Sequence, residues 1–192
     1  FAFSIIFFIY AYQISAYFLS ITYSGDLIRY QSLWEKLSIF EIIKFEDLFL
    51  SPQNLFLISA SEIGSFQFLY PLLIYILSKL IAFQTYLSIS SGIYVFLFSN
   101  LFLKGDFLLF RIFLIFPILS NIYTYGLISV LDRLKVSLIF ILISSFSFIP
   151  KGIKNLFLIL SIFTHFTVVF ILLPIFANTY ISPTDIKLLP KL

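Results

Sequence analysis

Residues 80–103 read LIAFQTYLSISSGIYVFLFSNLFL and contain no Asp, Glu, Lys or Arg. A helix needs about 20 such residues, each rising about 1.5 Å, to cross roughly 30 Å of hydrocarbon. The stretches Phe1–Gly25, Ile112–Leu131 and Asn155–Thr184 are equally free of charge. Two shorter runs, Ile63–Ser78 and Val136–Pro150, are flanked by Lys79 and Lys135. Those long side chains extend a crossing by snorkelling to its edge. The pattern predicts five to seven crossings, about six.

Composition says the same globally. Of 192 residues, 61% are apolar and 11% charged, with a mean hydropathy of +1.09. Soluble domains average roughly 45–50% apolar and about 25% charged, so this chain has too few charges to coat a water-facing surface. Inside lipid every backbone amide must be paired, which leaves helices or closed barrels. Barrel strands alternate in polarity over about ten residues, whereas these runs are longer and apolar on every side. The expected fold is an all-α integral membrane protein, a polytopic helical bundle forming one domain over residues 1–192.

The chain has no cysteine, so thiolate metal sites, disulfides and cysteine nucleophiles are excluded. Methionine is absent too, including at position 1, and the chain reads as an internal piece of a longer protein. Its basic residues are scattered singly, which argues against a nucleic-acid partner. The bilayer itself is the first partner implied.

The sizeable hydrophilic stretch is residues 25–62, with six acidic and three basic residues. Leu33, Leu37, Phe40 and Ile43 recur there at helical spacing beside the charges, which predicts one or two amphipathic helices at the membrane surface. The basic turn at Lys151 and Lys154 marks the cytoplasmic side. Arg133 and Lys135 then lie outside. Counting back through crossings at 107–125, 84–103 and 63–78 places the 25–62 loop inside, on the face opposite Arg133. A count different by one crossing reverses that.

Charged and polar groups in or beside lipid are costly and raise a functional question by default. His165 lies eleven residues past Lys154, about 16 Å into its crossing. With no Cys and no carboxylate on its own helix, it is a poor metal ligand, and no metal or cofactor is expected. Its bland alternative is a neutral imidazole bonded to a neighbouring helix. Arg133 stands at a helix entrance, where a guanidinium is suited to clamp a diphosphate through paired hydrogen bonds; a snorkelling anchor is the plainer reading. Arg111 reads as such an anchor. Asp26 follows the first crossing with Tyr30 one turn on. Glu62 heads the next crossing, where an acid suits a helix N-terminus. Glu46-Asp47 is an acidic pair of the loop. No phosphate-binding glycine loop, catalytic triad order or HExxH is present.

The order of these positions resembles a known pattern. Ser24-Gly25-Asp26-Leu27-Ile28-Arg29-Tyr30 follows a crossing, Glu62-Ile63-Gly64-Ser65-Phe66 opens another, and Leu131-Asp132-Arg133-Leu134-Lys135 precedes a later one. Phe163-Thr164-His165-Phe166-Thr167 lies in the helix after that, with Pro174 beyond it. This is similar to the EpsG/Wzy-type family of membrane polysaccharide (O-antigen and exopolysaccharide) polymerases, over about Gly25 to Pro174. The sequence departs from that pattern where Gly25 directly abuts Asp26, where Leu134 rather than Gln follows Arg133, and where Thr22 and Tyr23 stand in place of an arginine.

The resemblance implies a GT-C-like glycosyltransferase of the bacterial inner membrane. It would join oligosaccharide units carried on polyprenyl diphosphate, alongside other polysaccharide-assembly membrane proteins. It implies catalytic roles for His165, Asp26 and Arg133, and substrate binding by Tyr30, Glu62 and Lys135. Two other readings stand beside it. One is a transferase using a polyprenyl-phosphate sugar with Glu46-Asp47 as its acids, and the other is a transporter or flippase subunit.

Overall fold

The computed structural model describes residues 2–21, 25–40, 55–63, 69–103, 108–120, 131–170 and 172–173. Among these residues every regular element is a helix, and no strand occurs. The elements are α1 (Ala2–Ile21), α2 (Gly25–Ile39), α3 (Leu55–Ile63), α4 (Leu69–Ser78), α5 (Phe83–Phe102), α6 (Leu108–Ser120), α7 (Asp132–Ser144) and α8 (Lys151–Thr164). The fold is all-α, as expected. One helix, Phe83–Phe102, is long and apolar enough to cross a membrane, counted over the described residues.

Many large apolar side chains face outward. Leu109 and Phe113 are 82% and 76% exposed, and Phe148, Phe166 and Phe170 also face outward. Serines lie in the interior beside the apolar core: Ser88, Ser90, Ser91, Ser99, Ser137, Ser144 and Ser161 are buried, as is Thr164. Small residues let helix backbones approach closely where lipid supplies no hydrophobic drive for association. A broad apolar exterior of this kind is an observation that needs a solvent or partner to match it.

The pairing of α1 with α5 is built on that principle. Ser4, Ala11 and Ser15 of α1 are buried, as are Ser88, Gly92, Val95 and Ser99 of α5. The spacing of three, four and seven residues puts each set on one face. Phe8 lies so close to Gly92 that a Cβ there would stand 2.7 Å from its ring. The hydroxyls of Ser4 and Ser15 have no hydrogen-bond partner among the described residues, so their contribution is small size rather than polarity. Arg111 donates to the Phe102 carbonyl at 2.9 Å, closing the C-terminus of α5.

The amphipathic reading of the loop holds for α2. Leu27, Tyr30, Leu33, Trp34 and Leu37 form its buried stripe, while Arg29, Glu35 and Lys36 face outward. This stripe packs on α3 and α4 and joins Leu55, Tyr70, Ile74, Tyr86 and Val136 in the largest apolar cluster. Lys79 donates to the Ser38 and Phe40 carbonyls at 2.6 and 2.8 Å. A cation there satisfies the carbonyls that a helix end leaves open.

Two expectations change. Glu62 was expected to open a helix at the head of a crossing, but residues 55–61 before it are already helical in α3, and its carboxylate pairs with Lys36 of α2. The second concerns the crossing that carries His165. Helix α8 ends at Thr164, and His165 is extended at φ −152° and ψ 106°. Short i→i+3 bonds follow, from Val168, Val169 and Phe170 to His165, Phe166 and Thr167. The last turn of α8 already diverts its side chains to the backbone, with Ser161 Oγ on Leu158 O and Thr164 Oγ1 on Leu160 O. Such back-bonding bends helices.

Candidate functional site

The first turn of α7 carries the charges that matter, and it deals them to two sides. Asp132 and Lys135, three residues apart, point inward and are fully buried. Arg133 between them is half-buried and reaches α2. Its Nε donates to the Tyr30 hydroxyl at 3.3 Å. Together with Arg29 and Ile63 these two residues line a cavity of about 130 Å³. At roughly 30 Å³ of liquid per water molecule, that is room for about four waters or one compact anionic group. Two guanidiniums and a phenol make it a basic, hydrogen-bonding recess suited to phosphate oxygens.

Behind the cavity is a buried polar cluster. Asp132 Oδ2 accepts from the hydroxyls of Tyr70 (α4) and Tyr86 (α5), each at 2.6 Å. Lys135 Nζ stands 2.8 Å from Asp132 Oδ1. That contact is ionic, since the oxygen receives no directed hydrogen bond. Lys135 also donates to Ser91 Oγ at 3.3 Å. The rings extend the cluster toward α2: Tyr70 meets Tyr30 edge-on at 5.8 Å, and Tyr86 stacks on Trp34 at 4.9 Å.

The other expected site residues fall as follows. His165 sits at the break after α8, with Nδ1 2.6 Å from Thr167 Oγ1. Glu62 adjoins Ile63 of the cavity wall, but its carboxylate bonds Lys36. That hydrogen bond, then one from Ser32, holds its pKa below the ordinary glutamate value of 4.5. The backbone of Asp26 is in the first turn of α2, one turn before Tyr30; its side chain lies outside the described residues. Lys135 is committed to Asp132 and is not among the described residues of the cavity wall. Glu46-Asp47, Gly126–Val130 and Pro174 lie outside the described residues.

The structure therefore brings Tyr30 and Arg133 into contact, while the contact of the His165 ring is with Thr167. It adds Arg29 and the group Asp132, Tyr70 and Tyr86, which the sequence reading did not select. The i, i+3 spacing of Asp132 and Lys135, on either side of Arg133, was the signal available for part of it. No group of three or more His, Cys, Asp or Glu suited to a metal occurs among the described residues. No protein-family model, curated protein or solved structure matches this chain.

Proposed function

We propose that this chain is part of a multi-pass membrane glycosyltransferase that joins oligosaccharide units carried on polyprenyl diphosphate, in surface polysaccharide synthesis. The observation that carries the reading is the recess in which Arg133 and Arg29 meet Tyr30. An acceptor hydroxyl attacks the anomeric carbon of the donor chain, the bond to the diphosphate oxygen breaks, and the lipid diphosphate departs. Arg133, helped by Arg29, stabilises the charge that develops on that leaving group. His165 or Asp26 takes the hydroxyl proton, and Tyr30 orients a sugar hydroxyl or a phosphate oxygen.

The bundle belongs in the inner membrane of a bacterium, with the recess on its outer face. The outward Phe and Leu side chains, the serines buried between helices and the length of Phe83–Phe102 support a lipid setting. The test is a glycan gel. Arg133→Ala and His165→Ala in the full-length protein abolish the ladder of polymer lengths, while Glu35→Ala on the exposed face of α2 leaves it intact. A normal ladder from either variant removes that residue from the mechanism.

A further inference from the structure

The buried cluster behind the cavity is built on Asp132, Tyr70 and Tyr86, none of which has a chemical role above, and it touches both sides of the recess. Asp132 starts α7 and immediately precedes Arg133. Its carboxylate is gripped by Tyr70 from α4 and Tyr86 from α5. Tyr70 in turn bears edge-on against Tyr30, and Tyr30 receives the Arg133 hydrogen bond. Asp132, Tyr70, Tyr30 and Arg133 thus form a closed circuit, sealed by one peptide bond. A helix start is otherwise the part of a helix most free to fray, and α7 has no side-chain cap on its N-cap residue, Leu131.

We propose that Asp132 is a positioning residue. Through the Tyr70 hydroxyl it fixes both the first turn of α7 and the Tyr30 ring, and so aims the Arg133 guanidinium into the recess. Its functional meaning rests on the recess being the anion site proposed above. Asp132 itself lines none of the cavity described. Lys135 neutralises the carboxylate, which is otherwise too costly to hold ionised in a dry interior. The two tyrosines specify where it sits.

The arginine reagent phenylglyoxal tests this without any substrate. The purified chain in detergent micelles is labelled briefly, and peptide masses separate Arg133 from Arg29 and Arg111. Tyr70→Phe keeps the ring but removes the bond to Asp132. It raises Arg133 labelling about threefold or more, the order of factor that one net hydrogen bond is worth, and leaves Arg111 unchanged. Asp132→Ala with Lys135→Met does the same. Asp132→Asn with Lys135→Met keeps an acceptor oxygen for the tyrosines and restores slow labelling, whereas Asp132→Leu with Lys135→Met fills the space without an acceptor and labels fast, a difference a merely space-filling role does not predict. Unchanged Arg133 labelling in Tyr70→Phe overturns the proposal, and so does an equal rise at all three arginines. Inorganic pyrophosphate supplies the separate check on the recess. If the wild-type chain fails to protect Arg133 with it, the proposed reaction falls, while the labelling pattern still decides the role of Asp132.

Discussion

Replacing Lys135 by Met is a sharp test of how the interior is held together. Met matches the length of the Lys stem, so the packing volume is kept and the change is mainly one of charge. What remains is the Asp132 carboxylate, wholly buried, with two tyrosine donors on Oδ2 and nothing facing Oδ1. Removing one partner of a buried pair costs about 3–5 kcal/mol. Hydrogen bonds to a charged group recover about 1.5–3 kcal/mol each, but the tyrosine bonds are present before and after and do not offset the loss. The single variant should therefore lose about 3 kcal/mol. Adding Asp132→Asn removes the stranded charge and keeps both tyrosine bonds, so the double variant should lie within about 1 kcal/mol of wild type. The coupling is then about 2 kcal/mol or more and favourable, far beyond the few tenths expected for independent sites. Trp34 is the one tryptophan of the chain and stacks on Tyr86, so its emission follows the cluster during unfolding in mixed detergent–SDS micelles. Equal stability of Lys135→Met and wild type, or simple additivity in the double variant, would refute the reasoning.

Four further outcomes follow from the packing and the surface. Gly92→Ala puts a Cβ 2.7 Å from the Phe8 ring; because that ring also borders an open apolar groove with Ile5, Ile93 and Phe96, it can swing aside, and the loss should stay near 1 kcal/mol. Gly92→Leu should separate α1 from α5, seen as loss of a disulfide engineered across the seam. Ser4→Ala and Ser15→Ala remove buried hydroxyls with no partner among the described residues and should be neutral or slightly stabilising in the same unfolding assay. Glu62 has a lowered folded pKa, so its contribution to the α2–α3 contact is full above the unfolded value. It is lost as pH falls through the folded one. Acid titration of Trp34 emission should therefore show a step below pH 4.5 that Glu62→Gln abolishes; an identical step in that variant would show another group to be responsible.

Much of the bundle was legible in the sequence because hydrophobic length and periodicity are local signals. The charge-free run 80–103 became α5, and the stripe Leu33–Leu37 became the buried face of α2. Position along a helix was less legible. Glu62 reads in sequence as the start of an apolar run, whereas residues 55–61 before it are already helical and its partner Lys36 stands 26 residues away. The break at His165 was hidden because Thr164 and Thr167 are compatible with an apolar helix until their side chains turn to the backbone and to the imidazole. Asp132, Tyr70 and Tyr86 come from three helices, so no periodicity connects them. The i, i+3 relation of Asp132 with Lys135 was visible, but it reads equally as an exposed surface pair. Burial decides between the two.

The same limit explains the topological conflict in the sequence. Counting 63–78, 84–103 and 107–125 as three crossings separates the α2 region from Arg133 by a membrane thickness, about 30 Å. The hydrogen bond from Arg133 to Tyr30 is incompatible with that separation. If the chain is multi-pass, as proposed, the crossings between the two residues are even in number, and Tyr30 and Arg133 share one face. Between them, α5 has the full length for one crossing. Single cysteines at Arg29 and Arg133 in this cysteine-free chain should then react with an impermeant maleimide from the same side. Reaction from opposite sides would exclude both this topology and any site shared by the two residues.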